Sequence, residues 1–213
     1  MNIRVPLEHF ILEGILTIPD SARGIVVFAH PGMGGLSNLL NTHNTYVTEV
    51  LFEAHFGSLL AGLLTEEEER SKKIENDIWF LTDRLEKLTA WIQSNEQTRD
   101  LRIGYFGVGT GAAAALAASL DVGSAIRAVV CDSGRLDLVM DILSRVQVPT
   151  RLVVRGNDDV VHCINERSYD LLMSDKELDI VPGAPHVFDE RFLNEVARLS
   201  VDWFSRYLPP TRA

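Results

Sequence analysis

The chain has 213 residues, 46% of them hydrophobic, and a formal net charge of −10. That length suffices for one large domain (1–213) with a real core, and the acidic balance argues against a nucleic-acid-binding surface. The two cysteines, Cys131 and Cys163, give neither a disulfide framework nor a zinc-site spacing; no apolar run approaches the ~18 residues of a membrane span; and the first ten residues carry Arg4 and Glu8 instead of a signal core. A cytoplasmic, enzyme-sized domain is expected, with neither nucleic acid nor membrane as a partner.

In chain order, residues 3–7 and 14–18 read as two short strands. Pro19-Asp20-Ser21 then breaks the chain. Residues 24–29, GIVVFA, form a continuous apolar run, the signature of a strand buried on both faces. The run ends in a glycine-rich loop, His30-Pro31-Gly32-Met33-Gly34-Gly35. A helix is expected within 44–55 and a strand over 56–64. The acidic run Glu66-Glu67-Glu68-Glu69 reads as a solvated loop or a helix start, with a cation site as the alternative. Residues 77–92 carry Ile78, Leu81, Leu85, Leu88 and Ile92 at helical spacing. Strand, glycine turn and helix follow over 101–120. A strand is expected at 126–131, a helix at 136–143, a strand at 150–154, a helix at 165–173 and a strand at 177–181. Phe192, Val196, Leu199, Trp203 and Tyr207 mark a closing helix. The alternation predicts an α/β fold whose mostly parallel sheet has helices on both faces. Functional residues of such a sheet gather at the carboxyl ends of its strands.

The turn Gly107-Val108-Gly109-Thr110-Gly111 carries the chemical argument. One reading is a nucleophile elbow, Gly-x-Ser-x-Gly, with glycine where the serine belongs. A second is a dinucleotide fingerprint built on Gly107, Gly109 and Ala112, with Asp132 about 20 residues on as ribose ligand. A third is a tight crossover that needs glycine for backbone reasons alone. A dinucleotide fold places its fingerprint after the first strand, whereas here at least four strands precede it. The elbow also gives roles to Asp158 and His186. Position 109, Asp158 and His186 stand in the chain order nucleophile, acid, histidine, each just after a strand. The plainer alternatives are that Asp158 is a turn former or helix cap and His186 a surface group.

The segments FAHPGMGG (28–35), LLTEEEE (63–69), GYFGVGTGAAAAL (104–116), VVRGNDDVV (153–161) and VPGAPHVF (181–188) resemble the dienelactone-hydrolase-like branch of the α/β-hydrolases. The resemblance runs from about residue 14 to Leu208. It implies a sheet of about eight strands and hydrolysis of small esters or lactones, with no cofactor or metal. It maps the acid onto Asp158, the histidine onto His186 and the oxyanion loop onto 30–35. One oxyanion donor is then the N–H of Thr110 and the other comes from Gly32 or Met33; Pro31 has no N–H to give. His30 orients the loop or touches ligand.

The departure is Gly109, which has no atom to attack with. Loss of a triad serine costs on the order of 10⁶ in turnover. Three functions remain open. One is a hydrolase-like protein that binds a small carbonyl compound or a partner without ordinary turnover. Another uses His186 with Asp158 as a general base, for lyase, isomerase or hydration chemistry. In the third, Thr110, Cys131 or Ser133 replaces the nucleophile.

Overall fold

The computed structural model describes residues 1–7, 10–30, 40–69, 74, 76–182 and 190–210. In chain order the elements are β1 (Asn2–Leu7), β2 (Phe10–Thr17), β3 (Gly24–His30), α1 (Thr42–Glu53), β4 (Phe56–Gly62), α2 (Glu66–Glu69), α3 (Ile78–Ser94), β5 (Ile103–Val108), α4 (Thr110–Asp121), β6 (Ile126–Asp132), β7 (Thr150–Arg155), α5 (Asp159–Leu171), β8 (Lys176–Val181) and α6 (Glu190–Tyr207), with short 3₁₀ turns between. The strands form one eight-stranded sheet in the order β1-β2-β4-β3-β5-β6-β7-β8. β2 runs antiparallel to both β1 and β4, and every other pairing is parallel.

Alternation along the central strands builds two apolar layers. Ile25, Val27 and Ala29 of β3 face α3 and α4, while Val26 and Phe28 face α1 and α6. A strand buried on both sides has no polar position to spare, which is why this run is apolar throughout. The expected helix over 77–92 is α3, capped by Asp77, whose carboxylate accepts from the Phe80 N–H. The acidic run starts a helix. Thr65 and Glu68 form a reciprocal capping box, and Glu68 also pairs with Arg84 of α3 at 2.7 Å. Arg84 is buried with Phe10 and Phe80 over its guanidinium, so this carboxylate is committed within the fold.

Three elements differ from expectation. β2 begins at Phe10 instead of residue 14, because the hairpin pairs Leu7 with Phe10. The segment 136–143 is two single 3₁₀ turns, Leu136–Val139 and Leu143–Arg145. Leu136, Val139 and Leu143 are buried, and short turns satisfy that spacing as well as a helix would. α5 starts at Asp159, six residues before the expected start, because Asp158 caps it. β-branched Val160 and Val161 weaken the helical signal of that first turn. Among the described residues no helix is long and apolar enough to cross a membrane.

α4 lies unusually close to the sheet. Ala112–Ala118 are all buried, and small side chains shorten the helix–sheet distance. At Gly111 a Cβ would fall 1.8 Å from the Ala29 carbonyl oxygen, and at Gly107 one would fall 2.5 Å from Ala112 Cα. Backbone on both sides leaves nothing flexible to yield. Gly111→Ala is therefore expected to cost about 3 kcal/mol or more, at or beyond the top of the range for overpacking. Urea unfolding measures it, and a loss below about 1 kcal/mol would show that α4 shifts freely.

Candidate functional site

The Gly107–Gly111 turn stands at the carboxyl edge of the sheet, between β5 and α4. Gly109 has φ 56° and ψ −119°, a conformation that L-residues rarely adopt. Its N–H donates to the Asp132 carbonyl at 3.1 Å, and its own carbonyl accepts the Arg135 N–H at 2.9 Å. The turn is thus tied to the end of β6. A Cβ placed on Gly109 meets no atom of the described residues within 4 Å. The flanking glycines are required by packing, whereas the middle one is not crowded by any described residue. Thr110 opens α4, and the first N–H groups of a helix have no acceptor within it.

Asp158 sits just beyond β7, exposed, and its carboxylate accepts the Val161 N–H at 3.1 Å as the N-cap of α5. The helix-cap reading is therefore realised. His186, Gly32 and Met33 lie outside the described residues, as does Pro31. His30 ends β3, partly buried, in register with Gly62.

The structure brings together a pair that the sequence reading missed. Asp132, the last residue of β6, is paired in register with Val108 and is 2% exposed at its side chain. His43, in the first turn of α1, places Nε2 2.8 Å from Asp132 Oδ2, though off the line of a straight hydrogen bond. The Ser133 hydroxyl donates to Asp132 Oδ1 at 2.9 Å. One carboxylate oxygen thus accepts a hydrogen bond and the other faces the imidazole. The Phe106 ring covers His43, with centroids 6.0 Å apart. The one available signal was a carboxylate ending the apolar strand IRAVVCD; its partner came from a polar segment with no periodicity.

These contacts correct two expectations. Asp132 does not present a carboxylate to a ribose, since it is buried and shared by His43 and Ser133. Cys131 is no substitute nucleophile, because it is wholly buried and burial pushes its thiol far up, with the Asp132 charge adding to the effect. Ser133 has φ 50°, a second strained position at this edge, and its hydroxyl is bound to the carboxylate. Among the described residues no group of three or more His, Cys, Asp or Glu could hold a metal ion.

Among solved structures, a dienelactone hydrolase from Anabaena variabilis superposes with a TM-score of 0.91 at 39% identity, covering 97% of each chain. The chain belongs to the dienelactone hydrolase family, within the α/β-hydrolase fold. More distant likenesses show the fold alone. An α/β serine hydrolase without lid from Xanthomonas campestris has a TM-score of 0.78 at 17% identity, covering 100% of this chain and 96% of that one. Two curated Mycobacterium tuberculosis proteins, from strains CDC 1551 and H37Rv, each named "Putative phosphoribosyl transferase", are 45% identical over 198 residues, or 92% of this chain. The chain spans 44% of the length of those relatives. No family model matches the chain.

The two thiols provide a check on the geometry. Cys163 is exposed and Cys131 buried. Titration of the native protein with a thiol-reactive disulfide is expected to release one equivalent rapidly and a second only on unfolding. Two rapid equivalents would place Cys131 at an open surface.

Proposed function

We propose that this chain binds a small ester or lactone over the Gly107–Gly111 turn and lacks the acyl-enzyme turnover of a serine hydrolase. The observation that carries the reading is Gly109, which has the positive φ of an elbow, no atom of the described residues within 4 Å of a Cβ placed on it, and no side chain. In this fold the nucleophile is held on such a turn at a cost of roughly 1–3 kcal/mol. The turn at the sheet edge and the Thr110 N–H at the start of α4 suit a polarised carbonyl oxygen.

The remaining roles follow from the family resemblance. Thr110 gives one donor, Gly32 or Met33 the second, and Asp158 with His186 stand at the acid and histidine positions. The transferase name of the mycobacterial relatives is not carried over. More than half of each of those chains lies outside the match, and the part shared with this chain has a hydrolase fold.

Restoring the side chain tests the reading. The wild type is expected to escape labelling by a serine-directed fluorophosphonate. Gly109→Ser is expected to fold with a lower melting temperature, to be labelled, and to gain hydrolysis of short p-nitrophenyl esters. The gain disappears in Gly109→Ser/His186→Ala, because the histidine must take the serine's proton. Stoichiometric labelling of the wild type would overturn the reading. A folded Gly109→Ser protein with neither labelling nor turnover would overturn the retained ester site.

A further inference from the structure

The His43–Asp132 pair has no part in the scheme inherited from the family, yet it is built at the same edge of the sheet. Val108 and Asp132 are register partners on neighbouring strands, about 4.8 Å apart, and the Asp132 carbonyl holds the Gly109 N–H. The carboxylate lies on the face covered by α1 and α6, as alternation from Val130 and the cover of Val108 require. α1 brings His43 down onto it from that layer. The imidazole thus stands against the carboxylate of the residue whose carbonyl holds the Gly109 N–H.

We infer that His43, oriented by Asp132, is an acid–base group serving the space over Gly109, where it activates water for direct attack on a bound ester or lactone. This rests on the ligand class proposed above and adds a reaction to it. With Nε2 turned to the carboxylate, Nδ1 is the nitrogen left to act. His43 Nδ1 takes a proton from a water molecule as that oxygen bonds to the carbonyl carbon. The carbonyl π electrons move onto oxygen, where the N–H groups at the start of α4 receive the charge. The tetrahedral species then re-forms its C=O and expels the alkoxide, which recovers a proton from His43. Ester and water become acid and alcohol, and no residue is acylated. Gly109 suits this route, because it has no side chain to occupy the place of the water.

A purely structural reading is that the pair pins α1 to the sheet. α1 already has Val47 and Leu51 fully buried and an Asn41 cap at its N-terminus. Burying a carboxylate is a poor way to add stability, since desolvation offsets most of the attraction. A carboxylate with one oxygen held by Ser133 and the other facing an imidazole has the arrangement of the acid that orients a catalytic histidine.

The test uses p-nitrophenyl acetate and dihydrocoumarin as probes on the full chain, with steady-state kinetics, calorimetric binding and melting temperature. Slow wild-type turnover is expected, with no acyl adduct in the intact mass. His43→Gln is expected to lower kcat by roughly 10²–10⁴ while KM stays within about twofold. Asp132→Asn is expected to lower kcat as well, because an amide favours the wrong imidazole tautomer. Imidazole added to His43→Ala is expected to restore part of the rate, which no structural role would produce. Turnover unchanged in His43→Gln overturns the proposal, as does a loss that tracks unfolding and resists imidazole. Wild-type binding of a probe without turnover also overturns it, while leaving the ligand reading intact. A wild type that neither binds nor converts either probe removes the ligand reading itself.

Discussion

The contact on which the site depends is the close approach of α4 to the ends of β3 and β5. Gly111 lies so near the Ala29 carbonyl, and Gly107 so near Ala112, that a methyl group fits at neither position. A helix seated so low must leave its strand through a very short turn. The residue at the apex, Gly109, then takes a positive φ. Packing at the flanks thus sets a conformation at the centre that glycine adopts without steric cost and that an L-residue would be strained to hold. The buried alanines of α4 and the apolar strand beneath it are parts of the same constraint.

The residue at that apex is glycine, so the constraint is kept with no side-chain atom on it; on the proposed reading this is the nucleophile position. The flanking glycines are under packing pressure whatever the chemistry, so their retention says little about activity. More informative is what has been gathered beside Gly109. A carboxylate buried at the end of β6 is costly unless satisfied; here the Ser133 hydroxyl donates to one oxygen and His43 Nε2 stands 2.8 Å from the other. Cys131, one residue earlier, faces the opposite layer, where burial leaves its thiol inert. One strand end thus places a packing residue and a polar residue in succession, as period-two alternation dictates.

Much of this was legible in the sequence because it is local. Each predicted strand exists, since apolar runs bounded by Gly, Pro and Asp read the same in either setting. The elbow was legible because its glycine spacing and the alanine run after it are contiguous. Asp158 was legible both ways, as acid and as cap, and the cap is what the described residues show. What escaped is non-local or depends on capping. α5 begins six residues early because one side chain caps it against the propensity of Val160 and Val161. His43 reaches Asp132 only through the packing of α1 on the sheet. No periodicity links a histidine in NTHNT to an aspartate at the end of IRAVVCD.

The central claim is that the turn holds a carbonyl ligand without bonding to it. A high-resolution crystal structure of the wild-type protein soaked with a slowly hydrolysed lactone measures this directly. The account predicts the carbonyl oxygen within hydrogen-bond distance of the Thr110 N–H, Gly109 still at positive φ, and a non-bonded gap between the carbonyl carbon and every side chain. Continuous density joining that carbon to Thr110, Ser133 or any other side chain would contradict it, as would a lactone bound elsewhere with the edge above Gly109 filled by protein.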